Sequence, residues 1–257
     1  MTDGRALARE YLQQQRLLGG DPVLSGGGAP EQPPVDVPPA VAGPPAADAF
    51  DPAVLAPGVS YEPPGGDFFT ADPIAQATTL DGVAALVAQC TKCKLCEGRT
   101  HTVPGEGAKD ARLVVVGEGP GRVEDETGRP FVGPAGELLN KILGAIELTR
   151  ESVFICNIVK CRPPENRQPQ YDEVAACIPY LYRQIELLRP RVILAMGNTA
   201  AQSLLNTKQS LGSMRNRLHR FRGIPVIVTY HPAALLRNPN WKRPTWDDVR
   251  IARRLLD

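Results

Sequence analysis

Three polar side chains stand where three apolar runs of this 257-residue chain close. Glu118 follows Leu113-Val-Val-Val116-Gly117, Asn157 interrupts the otherwise apolar run 153–159, and His231 follows the run 225–230. A carboxylate can position water or stabilise a cation, a carboxamide can read a donor–acceptor edge, and an imidazole can hydrogen-bond a leaving group. β-Branched apolar runs read as strands buried on both faces. In a parallel sheet, ligands bind outside the carboxyl ends of the strands. Parallel strands would therefore bring Glu118, Asn157 and His231 to one rim. Each alone also reads as a strand-end structural group, but three at matching ends point to a site. The turn Gly117-Glu-Gly-Pro-Gly121 lets the backbone approach a ligand closely. It is not a dinucleotide fingerprint, since Arg122 stands where glycine is required, and it lacks the Gly-Lys-Ser/Thr of a P-loop.

The cysteines form a second constellation. Cys90 and Cys93 make a C-x-x-C knuckle, Cys161 follows the second run, and Cys177 lies after fifteen intervening residues. One knuckle plus two widely spaced thiols fits an iron–sulfur cluster at least as well as zinc. Cys96 extends the knuckle, but a ferredoxin run would need cysteine at position 100, which is Thr100. Spacing leaves the metal open and Cys96 as a substitute ligand. Cys156, between Ile155 and Asn157, reads as a buried thiol.

Strands and helices must position these groups. Four strands are expected at 112–116, 153–159, 191–196 and 225–230. Helices are expected at 80–89, 136–148, 172–188 and 199–205, with a last one from Thr245, a good N-cap with Asp247 and Asp248 in its first turn, to about Leu256. Their alternation predicts a three-layer α/β/α sandwich around a four-stranded parallel sheet. Residues 213–223 read as a basic hairpin carrying Arg215, Arg217, Arg220 and Arg222. Ahead of this domain, taken as 79–257, residues 1–20 suggest a short amphipathic helix over 5–18, either a partner-binding handle or a frayed end. Residues 21–78 read as a disordered Pro/Ala/Gly-rich linker, with twelve prolines and no Lys or Arg between 30 and 73.

Net charge is +1, unevenly spread: residues 1–78 carry three Arg against ten Asp and Glu, and the rest twenty-six Lys and Arg against eighteen Asp and Glu. A basic core behind an acidic tail is the footprint of nucleic-acid binding. No apolar run is long enough for a membrane span and no secretory signal is visible. A soluble cytoplasmic protein is expected, associated with the nucleoid through DNA, and in that compartment cysteines serve as thiols or metal ligands.

Residues 80–257 resemble a family 4 uracil-DNA glycosylase, the iron–sulfur branch of that superfamily. The matching motifs are Cys90-x-x-Cys93, Gly117-Glu-Gly-Pro-Gly121, Gly128-Arg-Pro-Phe-Val-Gly133, Asn157-Ile-Val-Lys-Cys-Arg-Pro-Pro164, Cys177 and His231-Pro-Ala. The resemblance implies a [4Fe–4S] cluster on Cys90, Cys93, Cys161 and Cys177, leaving Cys96 and Cys156 as non-ligands. It implies an enzyme that flips uracil out of double- or single-stranded DNA and hydrolyses its glycosidic bond; a monomer is expected. Phe131 would stack on the base, Asn157 would read its edge, and His231 with the backbone N–H groups of the Gly119 turn would stabilise the departing base. Glu118 would position water or stabilise the cationic sugar, and Glu124 would sit against the base and help exclude thymine. Leu235 or Leu236 would wedge into the vacated stack. Lys160, Arg162, Arg167 and Arg237 would contact phosphates.

Two other classes stay open on sequence alone. A non-catalytic iron–sulfur module that binds nucleic acid needs none of Glu118, Phe131, Asn157 and His231. A broader glycosylase acting on hypoxanthine or mismatched thymine resembles a branch with an apolar residue at the place of Glu118.

Overall fold

The computed structural model describes residues 55–63 and 72–257. The expected helix at 5–18 and most of the 21–78 linker lie outside them. Among the described residues, seven strands form one sheet: β1 (Ala56–Tyr61), β2 (Glu106–Gly107), β3 (Leu113–Gly117), β4 (Phe154–Asn157), β5 (Val192–Met196), β6 (Arg217–Phe221) and β7 (Ile224–Thr229), in the spatial order β1-β6-β7-β5-β3-β4-β2. The four expected strands are its parallel centre, β4-β3-β5-β7. Every residue of β3 and β5 is buried, so both faces of the sheet are covered, as a parallel sheet requires.

The four-stranded expectation needs correction at both edges. β2 pairs antiparallel with β4 over two residues, too short to show a pattern in sequence. β6 pairs antiparallel with β7, so the basic hairpin joins the sheet. β1 pairs parallel with β6, which places residues 56–61 in the fold rather than in a disordered linker. Its anchor is non-local: the Val59 N–H donates to buried His219 Nδ1 at 2.9 Å, and Tyr61 packs on Phe221 with ring centroids 6.3 Å apart. Pro57 is tolerated because the strand is at the edge.

The helices among the described residues are α1 (Pro73–Gln76), α2 (Leu80–Ala88), α3 (Leu95–Gly98), α4 (Arg122–Thr127), α5 (Pro134–Gly144), α6 (Tyr171–Leu188), α7 (Asn198–Leu205), α8 (Leu211–Met214), α9 (Pro232–Arg237) and α10 (Lys242–Arg254). Thr79 caps α2 by accepting the Gly82 N–H. Thr245 does not cap α10; it lies inside that helix and its hydroxyl donates to the Trp241 carbonyl at 2.8 Å. None of these helices is long and apolar enough to cross a membrane.

Candidate active site

The carboxyl ends of β3, β4 and β7 open into one cavity of about 390 Å³, whose walls include Glu118, Gly119, Glu124, Phe131, Asn157 and His231. Gly117 and Asn157 are directly opposed in the β3–β4 register. A Cβ on Gly117 would overlap Asn157 Oδ1 and the Phe131 ring, so glycine is what admits both into the pocket. Asn157 is buried, and its Oδ1 is the buried side-chain atom without a hydrogen-bond partner among the described residues. Leaving such an acceptor empty costs about 1–3 kcal/mol. A ligand donating an N–H there recovers that energy.

His231 ends β7 and caps α9. Its Nδ1 accepts the Ala233 N–H at 3.2 Å, which puts the ring proton on Nε2 and makes Nε2–H a donor. Burial, with the Arg237 charge second and Glu124 opposing, pushes its pKa down to about 4. The imidazole is therefore neutral at physiological pH. The Phe131 ring lies 5.4 Å from it, centroid to centroid, tilted by 31°. Behind β7, Thr229 and Arg215 both bond the buried Asp248, and Arg215 lies over the Tyr230 ring, which fixes the strand that delivers His231.

Glu118, Asn157 and Glu124 all line the cavity, and Glu124 also holds its loops. Its carboxylate accepts the N–H groups of Gly121, Val132 and Gly133 at 3.1, 2.9 and 3.0 Å, so its hydrogen-bonding capacity holds the pocket loops. Lys160 is a correction: it is 1% exposed, with Nζ bound to the Asn157 carbonyl at 2.9 Å and Gln184 Oε1 at 2.7 Å, and it reaches no surface where phosphate could lie. Arg167 lines the pocket, yet it forks onto fully buried Glu173 at 2.6 and 2.8 Å. Arg162 bonds Asn166 Oδ1 at 2.8 Å. The hairpin arginines are also engaged: Arg215 with Asp248, Arg217 with the Pro57 carbonyl, Arg220 with the Gly223 carbonyl and Arg222 with Glu186. Arg237 is exposed on the pocket rim and its side chain makes no hydrogen bond among the described residues. Of the two leucines considered for a wedge, Leu235 is fully buried and is core, whereas Leu236 is 51% exposed.

Pro163 and Asn166 also line the cavity, beside Glu165 and Asn166 in left-handed backbone. Arg150 carries no sequence signal at all, yet it grips the Phe131 loop from behind.

A second pocket is lined by Cys90, Cys93, Cys96, Cys161 and Cys177. The Lys160 N–H donates to Cys177 Sγ at 3.2 Å, and Arg99 donates to Cys161 Sγ at 3.3 Å and to the Cys90 carbonyl at 2.7 Å. Burial pushes the Cys93 and Cys161 thiols up and carries Cys177 to about 12. Among the described residues no group of three His, Cys, Asp or Glu is placed to hold a single metal ion. Cys156 sits apart in β4, its Sγ 3.7 Å from the Val115 carbonyl.

The profile of the uracil DNA glycosylase superfamily matches residues 104–251, which hold Glu118, Phe131, Asn157 and His231. The chain belongs to that superfamily. It is 45% identical over 186 residues to the type-4 uracil-DNA glycosylase of Saccharolobus solfataricus, covering 69% of this chain and 86% of that one. It is 46% identical over 178 residues to the type-4 enzyme of Thermotoga maritima, covering 68% and 93%. To the type-4 enzyme of Pyrobaculum aerophilum it is 46% identical over 162 residues, covering 60% and 83%.

Proposed function

We propose that this superfamily member is a monofunctional DNA-repair hydrolase that excises uracil from DNA and leaves an abasic site. The observation that carries the reading is the buried, empty acceptor Asn157 Oδ1. Uracil N3–H is a donor of the right kind for it, and the Asn157 amide N–H can donate to uracil O4. Cytosine offers an acceptor at N3 and a donor at C4. Both would face their own kind, so cytosine is rejected by unpaired polar groups as well as by lost bonds.

A flipped base would lie against Phe131 with its O2 towards His231. As the glycosidic N1–C1′ bond breaks, its electron pair goes to uracil and positive charge grows on the sugar. The neutral His231 Nε2–H and the backbone N–H groups of the Gly119 turn stabilise the oxyanion on O2, which appears only near the transition state. A neutral donor keeps its proton and polarises the leaving base without forming an acid. The Glu118 carboxylate, unpaired among the described residues, faces the cavity and orients the water that adds hydroxide to C1′. The proton of that water passes to solvent through the carboxylate, and the uracil anion is protonated after release. Exposed Leu236 fills the vacated stack and Arg237 holds the phosphate beside it.

The thiols of Cys90, Cys93, Cys161 and Cys177 would hold a [4Fe–4S] cluster. Their chemistry fits: the Cys93, Cys161 and Cys177 thiols, which burial pushes up, become thiolate ligands once iron supplies compensating positive charge. One knuckle and two distant thiols meeting at a single pocket match the all-cysteine ligation that iron–sulfur groups take. Arg99 and the Lys160 N–H would donate to its thiolates, and the cluster's contribution is to tie the α2–α3 knuckle to the loop that follows β4. The enzyme acts in the cytoplasm as a monomer.

The test is an incubation with oligonucleotides containing uracil, hypoxanthine or a G·T mismatch, followed by alkaline cleavage of abasic sites. Cleavage at uracil alone supports this reading. Cleavage at hypoxanthine or mismatched thymine makes the protein a broader glycosylase, and no cleavage leaves a binding module.

A further inference from the structure

Phe131 has a backbone φ of +52°, a left-handed conformation that a bulky aromatic residue adopts only when its surroundings impose it. The strain is about 1–3 kcal/mol. Two groups impose it from opposite sides. Arg150, outside the cavity, donates to the Phe131 carbonyl at 2.8 Å and to the Pro130 carbonyl at 2.6 Å. Its other contacts, Asn140 Oδ1 at 3.2 Å and Glu106 Oε1 at 2.5 Å, anchor it to α5 and β2. On the far side the Glu124 carboxylate accepts the next two N–H groups, those of Val132 and Gly133. Gly136 completes the fit, because a Cβ there would overlap the Phe131 carbonyl.

We infer that Arg150 is a positioning residue for base recognition: its guanidinium holds Phe131 in the left-handed conformation that sets the ring against Gly117 and His231. This rests on the reading above in which Phe131 stacks on the flipped base. A planar fork that bonds two successive carbonyls fixes both the position and the tilt of the peptide between them. Lysine, a single point donor, could satisfy one carbonyl but not fix the other. Without the fork, Phe131 relaxes towards ordinary φ and its ring leaves the base wall.

The experiment uses the full-length protein and compares Arg150→Met, Arg150→Lys and Phe131→Ala with the double variant Arg150→Met/Phe131→Ala. Four quantities are read: melting temperature, single-turnover excision of uracil, inhibition by free uracil, and affinity for DNA without uracil. Misplacing a group that contacts substrate by an ångström lowers rate by up to roughly 10²-fold. Arg150→Met is expected to slow excision by about 10–100-fold and weaken uracil inhibition comparably, with affinity for undamaged DNA unchanged. In the Phe131→Ala background the same change should have little further effect, since residues acting as one unit are not additive. Arg150→Lys keeps the charge and should recover stability but not uracil inhibition; it also carries the test should Arg150→Met not fold. Losses that add in the double variant overturn the inference, as does a lowered melting temperature with uracil inhibition intact. If Phe131→Ala itself leaves excision and uracil inhibition unchanged, the stacking reading fails first; if only the Arg150 variants are normal, the inference alone fails.

Discussion

The base pocket and the cysteine pocket lie at opposite ends of one short segment, Asn157 to Cys161, and are built by opposite means. Around the base pocket the protein supplies its own partners: Glu124 binds three N–H groups, Arg150 two carbonyls, and Ala233 fixes the His231 tautomer. One acceptor, Asn157 Oδ1, is left for a transient guest. In the cysteine pocket, burial disfavours the Cys161 and Cys177 thiolates and few donors offset it. Under the proposed reading a resident iron–sulfur cluster completes that pocket. The comparison breaks if the cysteine pocket is as self-sufficient as the other, and removing its thiols has the largest expected effect. Cys90→Ala, Cys93→Ala, Cys161→Ala and Cys177→Ala should each abolish the visible absorbance and iron content of the purified protein and most of its soluble yield. Cys156→Ala and Cys96→Ala should retain colour. Cys96 lines the same pocket, so a colourless Cys96→Ala beside a coloured Cys93→Ala would reassign the ligands.

The base pocket is sharpened by separating its two readers. His231→Ala should lower the single-turnover rate by roughly 10²–10³-fold, the loss expected for one oxyanion-type donor, with little change in DNA affinity, which phosphate contacts dominate. Asn157→Asp should slow uracil excision and allow weak cytosine excision. Because burial holds the His231 pKa down to about 4, the rate should show no inflection near the ordinary histidine value. Stability follows the same sign. The unfolded imidazole binds a proton below about 6.5, while the folded one resists it down to about 4. The melting temperature should therefore fall as pH drops through that window, and His231→Asn should flatten the fall. Rate losses that merely track melting temperature in both variants would remove the catalytic assignment.

The centre of this molecule was legible because its signals are local. Residues 113–117 and 192–196 are continuous apolar runs, and the polar residues that close such runs stand out. What escaped depends on partners far along the chain. β1 is a strand because His219, 160 residues on, accepts from Val59. Lys160 looks like a phosphate contact because nothing local reveals Gln184 waiting beneath it. Leu235 and Leu236 are identical in type, and only the packing of α9 decides which faces solvent. Arg150 acts through main-chain carbonyls, which carry no sequence identity.

β1 supports neither pocket directly, which gives a smaller test. Deleting residues 1–54 should leave melting temperature and excision unchanged and tighten DNA binding at low salt, since the segment is acidic. Deleting 1–63 removes β1 and exposes the edge of β6. The melting temperature should fall by roughly 5 °C, with excision per folded molecule retained at lower temperature. A loss of activity without a loss of stability would give the N-terminal strand a role at the site.

The smallest effect is expected at the cavity's outer edge. Leu236 is exposed on α9, one residue from Arg237, and Leu235 is buried beneath it. Leu235→Ala leaves a core cavity and should cost about 2–5 kcal/mol of stability, reducing excision from every substrate alike through loss of folded protein. Leu236→Ala removes no core contact, so its melting temperature should match the parent. A wedge matters only where a stack must be held open. Leu236→Ala should therefore slow excision from duplex DNA several-fold while excision from single-stranded DNA, which has no partner strand to reclaim the base, is preserved. Equal losses on the two substrates would place Leu236 in ordinary surface contact with DNA, and a loss confined to single strands would exclude it from the wedge.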